Sequence, residues 1–321
     1  MRKLIRYFNQ NRTKILLIVS IIVFLIIFVR VLNYIIKTNI QEERNNVSNS
    51  YSEGYRDTTL PEETIISGDE ISKEDAEEDK NIIESFVKAC NSKDYATAYN
   101  MLTDDCKNIV FSGTMDSFVK NYCDLIFQTS KTYQLEGWIS KAEGQTYKVT
   151  YLEDNILATG GISEGLNYTD YITITRENGE DKLSIYNFIN SYDTEKTENE
   201  NNVEIKVTRQ DIYMDYVVYS FTITNNSEKT ILLSDNSDNK QICLVDEHDS
   251  EYISYLNEIP QFNLIINRGE QKKFTIRFAK GYNSSTSARY IRFKNIYLDY
   301  NAYINNPNDE NLQKIQMDIK I

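Results

Sequence analysis

Residues Ile15 to Ile36 read ILLIVSIIVFLIIFVRVLNYII, an apolar run flanked by basic residues. As a helix it would be roughly 33 Å long, enough to cross the hydrocarbon core of a bilayer. Arg2, Lys3, Arg6, Arg12 and Lys14 precede it with no acidic residue among them. Excess basic charge stays on the cytoplasmic side, so the expected arrangement is single-pass, with an N-terminal cytoplasmic tail (1–14), a transmembrane helix (15–36) and everything after it outside the cytoplasm. A cleaved signal peptide would need a shorter apolar core and small residues at the cut. Here Lys, Thr, Asn, Ile and Gln follow the run, and no alanine occurs before Ala76. Arg30 is the one charge within the run. Near a helix end it reads as a side chain snorkelling to the headgroups, and the sharper alternative is a contact with another membrane helix.

The formal charge is −13, and residues 1–37 hold seven basic side chains and no acidic one, which leaves the rest of the chain at −20. Such a body repels phosphate backbones, so nucleic acid is excluded as its expected partner. The stretch 37–79 is acidic and lacks apolar periodicity, the pattern of an extended stalk. Usage rich in Asn, Ile, Lys, Tyr, Glu and Asp, with 3 Pro and 1 Trp, resembles that of low-GC Gram-positive bacteria. That bias gives the tyrosines a codon explanation.

From Ser72 the apolar spacing turns helical, with Ile82, Ile83, Phe86, Val87 and Cys90 on one face. A second helix follows through Tyr95, Ala98, Tyr99 and Leu102. A third, with Thr114 as N-cap, runs through Phe118, Tyr122, Leu125 and Ile126. The period then becomes two, at Tyr133, Leu135 and Ile139, at Tyr147, Val149 and Tyr151, and at Ile172 and Ile174. Asn178-Gly179 reads as a hairpin turn before Leu183 and Ile185. The expected unit at 80–192 is α+β, three helices on a curved antiparallel sheet. The segments IIESFVKACNSKDYATAYNML, TMDSFVKNYCDLI and ENGEDKLSIYNFI resemble the nuclear transport factor two-like cone domains of extracytoplasmic proteins. Residues 193–202 read as a polar linker. Alternating strands from Val203 to Ile321 indicate an all-β sandwich over 203–321. Its segments YSFTITNNSEKTILL and INRGEQKKFTIRF resemble immunoglobulin-like modules of Gram-positive membrane proteins and lipoproteins.

Candidate chemistry is sparse. Asp104, Asp105 and Asp116 are the carboxylates near helix ends and read as caps or solvated charges. No histidine falls in 80–192, so the usual general base is missing there. Tyr95, Tyr99, Tyr122, Trp138, Tyr147 and Tyr151 read as core and sheet surface before pocket lining. Cys90, Cys106, Cys123 and Cys243 contain no C-x-x-C pair, and they read as buried thiols, with one bridge among the first three as the alternative. His248, the single histidine, sits in a turn between Glu247 and Asp249. Asp235 to Asn239 cluster oxygen atoms, but without the spacing or glycine of an EF-hand, and Asx turns explain them. The expected site residues are therefore none, whether catalytic, cofactor-binding or metal-binding.

The expected function is that of a non-enzymatic, membrane-anchored interaction or scaffold protein of a bacterial cell envelope. Its partners are the bilayer through 15–36 and other envelope proteins, within a conjugation, secretion or wall-associated assembly, with oligomerisation open. The resemblance implies one rival, small-ligand binding or isomerase-like chemistry in a cone pocket; the anchor and short cytoplasmic tail leave a second, an extracytoplasmic sensor acting through a membrane partner.

Overall fold

The computed structural model describes residues 73–153 and 167–321, without the side chains of 73–75 and Trp138. The expected anchor at 15–36 and most of the stalk lie outside the described residues. One long helix, α1 (Lys73–Asn91), opens the described chain. Its inward face carries Ile83, Phe86, Val87 and Cys90, all buried. Lys93, at a φ of 60°, ends the run. The short α2 (Tyr95–Asn100) begins where Asp94 caps the amide of Thr97. A single wide turn (Cys106–Val110) follows. Residues 112 and 113, both at positive φ, break it. Then come α3 (Met115–Phe118), capped by Thr114 as expected, a second wide turn (Val119–Cys123), and α4 (Asp124–Ile126).

Strands make up most of the remainder. β1 (Lys131–Lys141), β2 (Gly144–Glu153), β3 (Tyr168–Glu177) and β4 (Glu180–Ser184) form an antiparallel sheet in chain order. It packs on the helical segments around Phe86, Phe111, Phe118, Tyr122, Tyr147, Tyr151 and Ile172. A second sheet contains β5 (Phe188–Glu200), β6 (Val203–Tyr213), β7 (Val217–Asn225) and, after several intervening strands, β12 (Gln271–Phe278), in the order β12-β7-β6-β5. The third has the order β10-β9-β13-β8-β11, from β8 (Ile231–Leu232), β9 (Ile242–Asp246), β10 (Glu251–Ile253), β11 (Ile265–Ile266) and β13 (Ala288–Tyr297). β14 (Lys314–Lys320) pairs with β13, and a short α5 (Tyr300–Asn305) precedes it. The second and third sheets share one apolar core, built from the inward residues of alternating strands: Ile205, Phe221, Ile223 and Ile276 from one sheet, Leu244, Ile291, Phe293 and Ile319 from the other.

The expected class, a single transmembrane helix with a three-helix α+β cone and a separate all-β sandwich, is corrected. The described chain is mostly antiparallel sheet with few helices, and none of its described helices is long and apolar enough to cross a membrane. Apolar periodicity marks Ala98, Leu102, Phe118, Tyr122 and Ile126, which are buried, but Leu125 of the third stretch is 63% exposed. Periodicity does not report the hydrogen-bond register: the second stretch closes only six α-helical residues, and a wide turn interrupts the α pattern of the third between Met115 and Ile126. The segment 193–202 runs as the outer half of β5 and the turn into β6. Asn201 and Asn202 are both at positive φ, the geometry of a two-residue hairpin turn that asparagine tolerates.

β5 therefore starts in the first core and runs on as the end strand of the second sheet. Phe188 lies in the core of the first sheet, and Ile189 joins Ile139, Met214 and Tyr282 in a small cluster between the two cores. Both cores belong to one compact unit, Leu60–Ile321. The entry to β5 is a turn in which Tyr186 and Asn187 adopt φ values of 64° and 60°, a conformation unfavourable for a bulky side chain. Asp170 on β3 holds it, accepting the amides of Asn187 (2.8 Å) and Tyr186 (3.0 Å). The same carboxylate accepts the Tyr171 amide (2.8 Å) and the Tyr122 hydroxyl (2.8 Å). It is fully buried, and burial pushes its carboxyl up from the ordinary aspartate value against the pull of these donors.

Asp170→Asn places an amide NH2 against backbone donors, and we expect it to cost about 2–4 kcal/mol. Tyr122→Phe, which leaves three of the four donors, should cost about 1 kcal/mol. Urea denaturation of both variants reads the difference, and equal losses would contradict a turn held chiefly by backbone donors.

Candidate functional site: a two-lysine cleft beside the joint

The hairpin between β1 and β2 ends at Gly144, where φ is 138° and an added Cβ would meet the Ile174 carbonyl oxygen at 2.2 Å. Only glycine fits there without displacing backbone. This close approach sets the direction of Lys141 and Glu143 just before it. Both line a cleft of about 490 Å³. Its opposite wall is the loop from Lys280 to Ser287, and its floor includes Ile212, Val217, Tyr219 and Leu244 from the sandwich sheets. A second glycine anchors that loop, since a Cβ on Gly281 would lie 2.9 Å from the Met214 carbonyl oxygen. The Tyr282 amide donates to the same oxygen at 2.9 Å.

The Lys141 ammonium donates to the Tyr282 carbonyl and lies 4.4 Å from the centroid of the Tyr282 ring. The Lys280 ammonium donates to the Thr286 carbonyl and lies 5.0 Å from the Tyr252 ring centroid. Lys280 is 9% exposed. Burial lowers both lysines from their ordinary value. The Glu143 carboxylate raises Lys141 in part, and the Lys280 charge lowers it further. Asp246 and Glu247 act in the raising direction on Lys280. Neither lysine forms an ion pair among the described residues. The carboxylates nearby are committed to other donors. Glu143 accepts the hydroxyls of Tyr282 (3.0 Å) and Tyr192 (3.3 Å). Burial, with the Glu143 charge second, raises the Tyr282 phenol. Asp246 accepts the amides of His248 and Ser250, both at 2.9 Å, and the Tyr252 hydroxyl at 3.2 Å. The Tyr252 hydroxyl also meets Thr286 Oγ1 at 3.0 Å, which ties the loop to β10.

The carboxylates singled out in the sequence do not gather here. Asp104 pairs with Lys107 at 3.0 Å on the surface, and Asp116 is exposed in the first turn of α3. Asp105 is raised chiefly by burial, with Glu177, Asp211 and Asp193 adding to it. Tyr122 and Tyr151 join their hydroxyls at 2.9 Å inside the first core, Tyr147 donates to Asp79 at 2.6 Å, and Tyr95 and Tyr99 pack at its edge. All four cysteines are buried and free. A hydrogen bond with Cys123, together with burial, pushes up the Cys90 thiol. In the 235–239 loop, Asp235 accepts from the Ser237 amide (3.0 Å), Gln241 and Tyr297 (3.1 Å), and Asp238 from the Lys240 amide (2.9 Å). These are turn-closing bonds, and no cluster of metal-ligating side chains occurs among the described residues. His248 is exposed in its turn. The lysine cleft is not visible in the sequence because its walls are far apart along the chain, with Glu143 and Tyr282 separated by 139 residues. The run GYNSSTS after Lys280, an unusual concentration of small hydroxyl residues, is the one signal there.

Burial pushes the Asp246 carboxyl up, but the donors from Ser250, Thr286, His248 and Tyr252 outweigh it and hold the group at about 2, below its ordinary 3.8. A depressed carboxylate contributes stability above its unfolded value and loses it as pH falls through the folded one. Wild-type stability should therefore drop as pH falls from about 4 to about 2. Asp246→Asn should show a shallower drop over that window in urea midpoints, and an unchanged slope would contradict this role.

No protein-family model matches the chain, and no curated protein matches it. Among solved structures, it is similar to a crystal structure of a conserved hypothetical protein from Bacillus anthracis, at 15% identity, covering 32% of this chain and 89% of that one with a TM-score of 0.24. A likeness that low carries no argument about fold or function, and it lends no support to the nuclear transport factor two-like or immunoglobulin-like resemblance.

Proposed function

We infer that the chain is a non-enzymatic interaction protein of a bacterial cell envelope, held at the membrane by the apolar run at 15–36 with its folded body outside the cytoplasm. The observation that carries this reading is the commitment of Asp170. A buried carboxylate in the first core is the group an isomerase-like enzyme would use as its base. Here each of its oxygens accepts two hydrogen bonds, and two of the four come from the amides of the Tyr186–Asn187 turn. The rings of Phe118 and Tyr122 stack beside it at 5.9 Å, and Phe111 packs edge-on to Phe118 at 5.3 Å. The joining of the first core to the second sheet through β5 suits presentation of a surface. Leu125 (63% exposed) and Phe262 (67% exposed) are large apolar side chains on that surface.

Intact cells with a photo-crosslinking residue at Leu125 or Phe262, followed by fractionation and external protease, test the reading. The expected result is membrane-bound protein, digestion of the folded body from outside, and discrete adducts with envelope proteins. Soluble protein, protection from external protease, or recovery only as free monomer at both positions would overturn it.

A further inference from the structure

We propose that the cleft between Lys141 and Lys280 binds a small organic anion, whose carboxylate or phosphate group is held by the two ammonium groups while its body lies on the apolar floor. The inference goes beyond the envelope-tether reading and does not depend on it.

The chain as a whole carries 48 acidic and 35 basic side chains, so carboxylates are plentiful partners for lysine. The second large cleft shows the ordinary outcome, with Lys229 paired to Asp299 at 2.6 Å and Arg268 to Glu228 at 2.7 Å. Even the well-buried Lys131 reaches Glu153 at 3.3 Å. Lys141 and Lys280 share one cavity, and among the described residues neither has a carboxylate within ion-pair distance. Each ammonium has three donors, and one hydrogen-bond acceptor is described for each. Like charges placed together in a partly desolvated cavity are costly unless an opposite charge joins them.

The nearby acids do not fill that role. Both oxygens of Glu143 are held by phenol hydroxyls, and those of Asp246 by backbone amides and Tyr252. They shape the walls and limit the excess positive charge, which favours a small anion over a polyanion. Ser284, whose hydroxyl meets that of Thr286 at 3.2 Å, adds a donor on the loop side. The floor of Ile212, Val217, Tyr219 and Leu244 is mainly apolar, with Gln210 beside it, so a ligand with an apolar or weakly polar body fits. The volume lies within the range of about 300–1,000 Å³ typical of small-molecule sites.

Calorimetric titration of the full chain in detergent, with hexanoate, glycerol 3-phosphate and hexylammonium as separate probes, tests the assignment. Saturable one-to-one binding of at least one anion and none of hexylammonium is expected. The anion that binds more tightly identifies the carboxylate or the phosphate as the recognised group. Lys141→Gln with Lys280→Gln should weaken that binding at least about tenfold, and Lys229→Gln in the second cleft should leave it unchanged. Absence of saturable binding by both anions, or binding unaltered in the double variant, would overturn the proposal. If the double variant does not fold, acetylation of the wild-type lysines is read by mass spectrometry with and without saturating anion. Selective protection of Lys141 and Lys280 supports the site, and equal labelling refutes it.

Discussion

The buried carboxylate of Asp170 is the constraint on which the arrangement of the described chain rests. A turn with two successive left-handed residues, one of them a tyrosine, does not persist by itself. Three backbone amides and one phenol converge on Asp170 and make that turn the favourable one. The turn launches β5, whose Phe188 lies in the first core and which continues as the end strand of the second sheet. The Asn187 carbonyl then accepts the Met214 amide at 2.9 Å, and the Met214 carbonyl accepts the Tyr282 amide. The path from a single carboxylate to the wall of the lysine cleft is thus a short chain of backbone hydrogen bonds. Charge is tolerated in the first core because every lone pair it presents fixes backbone geometry.

The joint between the cores explains why a cleft exists there. The apolar contact among the described residues is small, a cluster of Ile139, Ile189, Met214 and Tyr282 with Tyr171 and Ile212 at its edge, and the Tyr213 ring on Phe188. Around it the two bodies touch through polar groups. The Lys141 side chain reaches across to the Tyr282 carbonyl, and Glu143 reaches across to the Tyr282 hydroxyl. Interfaces of this kind leave gaps lined by both partners, and ligand sites favour such places.

Much of the β architecture was legible in the sequence, because burial on one face imposes a period of two. β7 alternates strictly between buried and half-buried positions from Val217 to Asn225, and Asn178-Gly179 closes the β3–β4 hairpin. The helical part was legible only as a set of inward residues. Phe118 and Tyr122 are buried, yet a wide turn at Val119–Cys123 interrupts the α-helix that was expected to carry them. The outer half of β5 was illegible for a different reason. Its side chains from Thr197 to Glu200 are exposed, so no apolar pattern marks it. It is a strand because β6 pairs with it from Val203 to Tyr213. The candidate site was illegible in a third way, since Lys141 and Lys280 acquire meaning only when folding places them on one cavity where neither forms an ion pair among the described residues.

The overall acidity of the chain and a cation-lined cleft are compatible because they act over different distances. Between exposed charges, screening is nearly complete beyond about 8 Å at physiological salt. The field of the acidic surface therefore slows the approach of anions and disfavours extended polyanions, which must lie along many carboxylates at once. Inside the cleft the relevant charges are few and partly desolvated, and they interact at short range in a medium less polar than water. Two lysines there outweigh distant acids for a ligand small enough to enter. Selectivity for small anions over nucleic acid or an anionic bilayer then follows from the contrast itself, with surface charge excluding the large and local charge retaining the small.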